Sequence, residues 1–310
     1  MLDVPVAVII FNRPAFVQRI YDVLREVKPE NLYVISDEAR KGKDGEKEKV
    51  LSSRYIAEHP AWKCNIHLLY AEKNMGCDAR IKSGLDWLFS KVEYAIVLED
   101  DCIPDRSFFD FCGELLKKYR YNEDVQYIAG SNQIDTYPIT ESSYIFTYEA
   151  WTWGWASWAR AWNKQRDLMN NYRRTKKELL SVAFLSFSEK INKVRAFKRY
   201  KKNDVSPWDI NFTWDALLDG KLSIVPRTNL VNHIGFTEES THVKKPFEGY
   251  DGTTIPMEFP LVHPEEIAEQ EGYHLAAYNW HRETLGHKLR DIDFYKRQFF
   301  RIWKRIAGRT

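Results

Sequence analysis

The sequence predicts an α/β fold built on a mostly parallel, doubly wound sheet, and three observations lead there. Five strand-like runs alternate with four helix-like ones through the first 130 residues. At 310 residues the chain has about twice the length of a common single domain, enough for a large core. Hydrophobic residues at 44% and charged residues at 29%, with 12 Pro and 14 Gly, are those of an ordinary globule rather than a disordered, collagen-like or coiled-coil chain.

Taken in order, Val6 to Phe11 is apolar at every position, as a strand buried on both faces must be. Asn12-Arg13-Pro14 ends it, and Val17, Ile20, Val23, Leu24 and Val27 then recur at helical spacing. The unit repeats as Leu32 to Ser36 with a charged helix through Val50 and Ile56, then Ile66 to Tyr70 with Ala79 to Phe89. Tyr94 to Leu98 is followed by a helix from Phe108 to Tyr119, and Gln126 to Ala129 closes the series. Such alternation implies right-handed crossovers, and ligands then bind beyond the carboxyl ends of the strands. The loops to watch are 12–14, 36–45, 72–78 and 99–105.

Beyond residue 135 the pattern changes, and we divide the chain into 1–135, 136–286 and 287–310. Five of the 11 tryptophans (Trp151, Trp153, Trp155, Trp158 and Trp162) fall between Tyr148 and Trp162. Residues 164–202 carry thirteen Lys/Arg against three Asp/Glu and read as an exposed helical insertion, with Leu179, Leu180, Phe184, Ile191 and Val194 as its buried stripe. Leu222 to Val225 is a further strand. From His287 onward, eight Lys/Arg and two Asp/Glu are interleaved with aromatics, a basic tail suited to touching a membrane surface from one side or to docking on the protein itself. The net charge of +2 shows no global polyanion-binding field, and the basic insertion matches no nucleic-acid module, so no nucleic acid is expected as a partner.

Cys64, Cys77, Cys102 and Cys112 form no Cys-x-x-Cys pair, and a chain this long needs no disulfide staples. The N-terminal apolar run is short, contains Pro5 and lacks a basic leader, so it reads as a strand and not as a signal peptide. No apolar stretch approaches the roughly 20 residues that span a bilayer. A cytoplasmic location is expected, with the inner face of the cell membrane as one site of work.

The sharpest chemical signal is Glu99-Asp100-Asp101, three carboxylates at the end of an apolar strand. Like charges so placed repel unless a cation or hydrogen-bond donors compensate them. Hard oxygen ligands suit Mg²⁺ or Mn²⁺, which in turn bridge phosphates. Capping of the following helix is the plainer alternative, although Asp105 can do that unaided.

With Phe11-Asn12-Arg13-Pro14, Ile35-Ser36-Asp37, Asn74-Met75-Gly76-Cys77 and Trp153-Gly154-Trp155-Ala156-Ser157-Trp158, the triplet resembles the motif set of bacterial GT-A fold nucleotide-diphospho-sugar glycosyltransferases, and more distantly the N-acetylglucosaminyltransferase I group. The likeness runs from about residue 4 to 245, leaving the tail outside. It implies a Rossmann-like nucleotide-sugar half, an acceptor-side half and an inverting, metal-dependent transfer from a UDP-linked or similar donor to a cell-surface glycan or lipid-linked glycan. It also implies roles. Asp101 would ligate the metal, Glu99 and Asp100 would hold the nucleoside side, Asp37 would contact the base, and Asn12 and Arg13 would reach the ribose or phosphates. Arg80 and Lys82, both with less weight, would face the diphosphate, unless they form only the wet face of their helix.

In Pro207-Trp208-Asp209-Ile210-Asn211-Phe212-Thr213-Trp214-Asp215 the resemblance places the base at Asp209 with Asp215 in reserve; the family carries a further Asp where this chain has Ile210. Late histidines return to the metal in such chains. His242, after a loop from Gly235 to Ser240, is the candidate, while His233 between apolar neighbours reads as structural. Sugars stack on indoles, so Trp153 or Trp155 would line the acceptor groove, with Gly154 allowing close backbone approach. The rivals are a sugar nucleotidyltransferase, whose glycine-rich loop after the first strand is missing here, and a carbohydrate- or nucleotide-binding protein on a degenerate transferase fold.

Overall fold

The structure is a computed structural model that describes residues 1–132, 134, 141–236 and 252–284. Its elements are β1 (Val6–Ile10), α1 (Pro14–Val27), β2 (Asn31–Ser36), α2 (Glu46–Glu58), β3 (Asn65–Tyr70), α3 (Cys77–Phe89), β4 (Tyr94–Glu99), β5 (Cys102–Pro104), α4 (Ser107–Lys118), β6 (Val125–Ala129) and β7 (Tyr144–Thr147). There follow β8 (Trp155–Trp158), α5 (Ala159–Trp162), α6 (Tyr172–Ser181), α7 (Phe187–Lys202), α8 (Trp208–Leu218), β9 (Leu222–Pro226), β10 (Val231–His233) and α9 (Tyr273–Thr284).

Eight strands form one sheet in the order β3-β2-β1-β4-β8-β6-β9-β7, and β5 pairs with β10 in a small second sheet. The four strand-helix units of the N-terminal half give the parallel run β3-β2-β1-β4. β8 is wedged antiparallel between β4 and β6, and β7 is antiparallel to β9 at the far edge, so six of eight strands share one direction. Strands from both sides of residue 135 thus share one sheet, with β8 lying between β4 and β6.

The central strands are apolar throughout because both faces are covered. Val6, Val8, Ile10, Ile96 and Leu98 enter one core, and Ala7, Ile9, Ala95 and Val97 the other. β8 obeys the same two-residue period: Trp158 joins the first core, and Trp155 packs with Trp162, Trp208 and Phe212 in the second. Each such side chain contributes about 1.5–3 kcal/mol by leaving water. The Trp158 indole donates to the Leu116 carbonyl at 3.0 Å, so burial leaves its polar atom satisfied.

Within residues 164–202 lie the two helices α6 and α7, and their buried side chains differ from the stripe expected. Leu179 and Phe197 are buried with Leu168, Met169 and Trp214, while Leu180 and Phe184 are exposed. The stripe shifts because α6 and α7 are separate short helices packing on α8, each with its own phase.

The insertion is pinned by buried charge. Lys193 donates to Glu149 at 2.6 Å, the Trp214 indole donates to the same carboxylate at 3.1 Å, and His274 of α9 lies 2.8 Å from Glu189. Burial acts to raise Glu149 and Glu189. It is outweighed by Lys193, His274 and Trp214 at the first and by His274 and Ser186 at the second, so both lie below the ordinary 4.5. A carboxylate lowered on folding stabilises the protein fully above its unfolded value, and that contribution is lost as pH falls through the lowered value. We therefore expect thermal midpoints followed by circular dichroism to fall below pH 4.5, with the double variant Glu149→Gln/Glu189→Gln showing a shallower fall; an unchanged slope would exclude these two groups.

Candidate functional site

β4 delivers its acidic end to the carboxyl edge of the sheet beside β1, where Ile9 pairs with Glu99. The chain then turns, and Asp100 and Asp101 precede β5. The amide of Phe11 donates to Asp100 at 3.2 Å, and Arg13 Nη1 bridges Asp100 (2.9 Å) and Asp101 (2.8 Å). Part of the compensation that three adjacent carboxylates require is therefore built in. It is incomplete: desolvation first, then Asp101 and its other acidic neighbours, push Glu99 and Asp100 upward despite Arg13.

The second half of the site arrives from far along the chain. β10 lies antiparallel to β5 with His233 opposite Cys102, and the Ile234 amide donates to the Asp101 carbonyl at 2.8 Å. This register sets His233 Nδ1 3.6 Å from Asp101 Oδ1, with Cys102 Sγ 3.7 Å from the same oxygen. The ligand atoms of Asp101, Cys102 and His233 all lie within 4.8 Å of one another. Two donors about 2.1 Å from a common ion and 90–120° apart would stand about 3.0–3.6 Å from each other, so Asp101 and His233 fit a shared divalent cation. Burial, aided by Arg13, holds His233 below its ordinary 6.5, which keeps a lone pair available. Cys102 fits less well, since desolvation and the charges of Asp101 and Glu99 push its thiol up and keep it protonated.

His233 is thus more than the structural histidine its apolar neighbours imply. Its ring stacks on Trp153 with centroids 4.3 Å apart and planes at 11°. Gly235 is required beside it, because a Cβ there would lie 2.3 Å from Asp101 Oδ2. Gly154 has φ +58°, and a Cβ there would meet Val231 at 2.8 Å, so the close approach expected of it is made to β10. His242 lies outside the described residues, as does the tail.

Asp209 sits in the first turn of α8, whose start is tied to that of α3 by the Trp208 amide donating to Asp78 at 3.3 Å. After burial and nearer carboxylates, the charge of Asp209 also helps push Glu99 and Cys77 up, so it lies in the neighbourhood of the triplet. Asp215, two turns on, is placed elsewhere. It is buried, accepts from the Arg166 amide at 2.9 Å and pairs with Arg166 Nε at 2.5 Å, which fastens the insertion to α8.

The remaining candidates divide. Asp37 accepts from the Met75 and Gly76 amides at 3.0 Å and from Asn74 at 3.1 Å, clamping the loop between β3 and α3 at the edge of the pocket. Asn12 donates to Glu46 at 3.0 Å, and Glu46 also pairs with Arg40, which holds loop 37–46 against β1. Arg80 is buried and donates to the Leu69 carbonyl at 2.7 Å, and Lys82 pairs with Asp86 on the outer face of α3. Trp155 is enclosed in the second core and cannot touch an acceptor, whereas Trp153 is half-buried at the pocket wall.

Cys77 belongs to the Asn74-Met75-Gly76-Cys77 motif without a role of its own. It lies at the start of α3, where burial of its thiol and then Glu99, Asp78, Asp209 and Asp101 push it up. His233 had no usable sequence signal, because only the β5–β10 register brings it to Asp101.

No known protein-family model matches the chain, and no curated protein sequence matches it. Among solved structures it is similar to a UDP-glucose pyrophosphorylase complexed with UDP-glucose, at 11% identity over 72% of this chain and 90% of that one, with a TM-score of 0.36. It is also similar to the mannosyltransferase PcManGT from Pyrobaculum calidifontis in complex with GDP-Man and Mn²⁺, at 13% identity over 71% of each chain and a TM-score of 0.36. A third is mannose-1-phosphate geranyltransferase from Thermus thermophilus, at 12% identity over 73% of this chain and 74% of that one, again with a TM-score of 0.36.

Proposed function

We propose that the chain is a metal-dependent, inverting glycosyltransferase that uses a nucleotide-diphosphate sugar, with UDP as the preferred nucleotide, to extend a cell-surface glycan at the cytoplasmic face. The observation that carries this reading is the pairing of Asp101 and His233, spaced as ligands of a shared ion, at the sheet edge where the acidic triplet ends β4. When bound, Mn²⁺ or Mg²⁺ would supply positive charge to the departing diphosphate.

The residues do the rest. Asp209 takes the proton of the acceptor hydroxyl as it attacks the anomeric carbon in line. Arg13, already bridging Asp100 and Asp101, holds the carboxylates in register and adds a cation close to the diphosphate. Trp153, oriented by its stack on His233, offers an indole face to the acceptor sugar. Asp37 and Glu46 fix the loops that bound the nucleoside.

Nucleotidyl transfer is disfavoured by the loop after β1. Pro14 opens α1 and the only cation there, Arg13, is turned to the triplet, so no glycine-rich phosphate cradle is formed.

The test is a screen of nucleotide sugars for transfer or slow hydrolysis in Mn²⁺, repeated with Asp209→Asn. Loss of a positioned base lowers kcat by about 10²–10⁴, and nucleotide affinity should stay within about twofold because the carboxylate meets the acceptor. Full turnover in the variant would dismiss Asp209 as base.

A further inference from the structure

The insertion carries a surface that the transfer reaction does not use. α6 and α7 form an antiparallel hairpin, set by Tyr172 stacked on Phe197 at 5.0 Å, so residues 181–187 form its tip. Val182 and Leu185 turn inward against Leu217, and Phe184 lies flat on Tyr148 at 3.6 Å, while Leu180 beside the tip and Phe187 at its end stand exposed. Leu180 is 42% exposed, Phe184 38% and Phe187 80%. Phe187 is held there: a capping box, with the Ser186 amide donating to Glu189 at 2.7 Å and the Glu189 amide to Ser186 at 3.3 Å, fixes the first turn of α7 that presents it.

Cations surround this tip. Helical spacing puts Lys176 and Lys177 beside Leu180, and Lys190 beside Phe187. The acids of the hairpin are engaged elsewhere: Glu178 with Arg174 at 2.7 Å, and Glu189 with His274 at 2.8 Å. An outward apolar tip in a collar of lysines is the chemistry of an anionic lipid surface, where rings enter the interface and ammonium groups meet headgroups. The basic tail, with its eight Lys/Arg against two Asp/Glu, has the wrong sign of charge to cover it.

We infer that the α6–α7 tip is a membrane foot that seats the protein on anionic lipid through Leu180 and Phe187, with Lys176, Lys177 and Lys190 on the headgroups.

Cosedimentation of the full chain with phosphatidylglycerol/phosphatidylcholine vesicles tests this without donor or acceptor, so its outcome is independent of the transfer reaction. Binding is expected to need the anionic lipid, to weaken in 0.5 M salt, and to drop at least tenfold in Leu180→Gln/Phe187→Glu and in Lys176→Glu/Lys177→Glu. Phe187→Trp should retain it. Because Phe187 is so exposed, these variants should keep the native melting curve, and transfer to a soluble acceptor should be unchanged. Equal binding to neutral vesicles would overturn the inference. So would loss in Phe299→Ser/Trp303→Ser with no loss in the tip variants, which assigns attachment to the tail. A dimer in sedimentation velocity that Phe187→Glu dissolves would assign the tip to a second copy, and RNA binding abolished by Lys176→Glu/Lys177→Glu would assign it to nucleic acid; either would overturn it.

Discussion

In Asp101→Asn, sugar transfer is expected to fall by at least about a thousandfold, and Mn²⁺ should no longer tighten nucleotide binding. Removing one preorganised group that opposes developing charge typically costs about 10²–10³ in kcat, and Asp101 would act also as the anionic ligand of the ion. The change is nearly isosteric, so Gly235, against which Asp101 Oδ2 packs, is not displaced. Arg13 keeps its 2.9 Å partner in Asp100. Loss of fold is therefore not the expected cause, and unchanged thermal midpoints would verify that. Calorimetry with UDP, with and without Mn²⁺, reads the effect: an unaltered dependence on Mn²⁺ in the variant would remove Asp101 from the metal site.

Trp155→Ala is expected to cost about 3–5 kcal/mol of stability, as truncation of a fully enclosed aromatic does, and to lower the thermal midpoint by roughly 10 °C. Trp155 lies between Trp208 at 5.7 Å and Phe212 at 5.3 Å, with Trp162 at 6.3 Å, so the hole would open in the second core and under α8. Trp153→Ala should do the reverse: little change in midpoint, but a raised acceptor KM from loss of the indole face and of the stack on His233. The pair is read by differential scanning calorimetry and acceptor titration. Equal destabilisation in both variants would deny Trp153 its place at the pocket.

The contrast between these tryptophans shows what the sequence could and could not disclose. The parallel run β3-β2-β1-β4 was legible because each strand is a short continuous apolar stretch followed by a helical period, and such local patterns survive in any tertiary context. β8 was not: Trp-Ala-Ser-Trp is too short to separate from a core helix, and its antiparallel insertion between β4 and β6 is a pairing of distant segments. The acidic triplet stood out because like charges in sequence need an explanation wherever they fold. Its guanidinium partner Arg13 was read as reaching the ribose or phosphates, with nothing in the sequence to pair it with the triplet, and His233 depended on a strand register that no spacing encodes. Arg80 shows the opposite error, for a cation near a loop was read as facing ligand when the helix instead turns it onto the Leu69 carbonyl.

The three residue pairs joining β5 to β10 have a kinetic meaning as well as a geometric one. Asp101 belongs to the first half of the chain and its imidazole companion to the second, so the ion-binding geometry exists only once both have come together. So small a ladder can open without melting the large sheet. Affinity for an ion there would then report how fully that ladder is closed, and cation binding would in turn hold it shut by mass action.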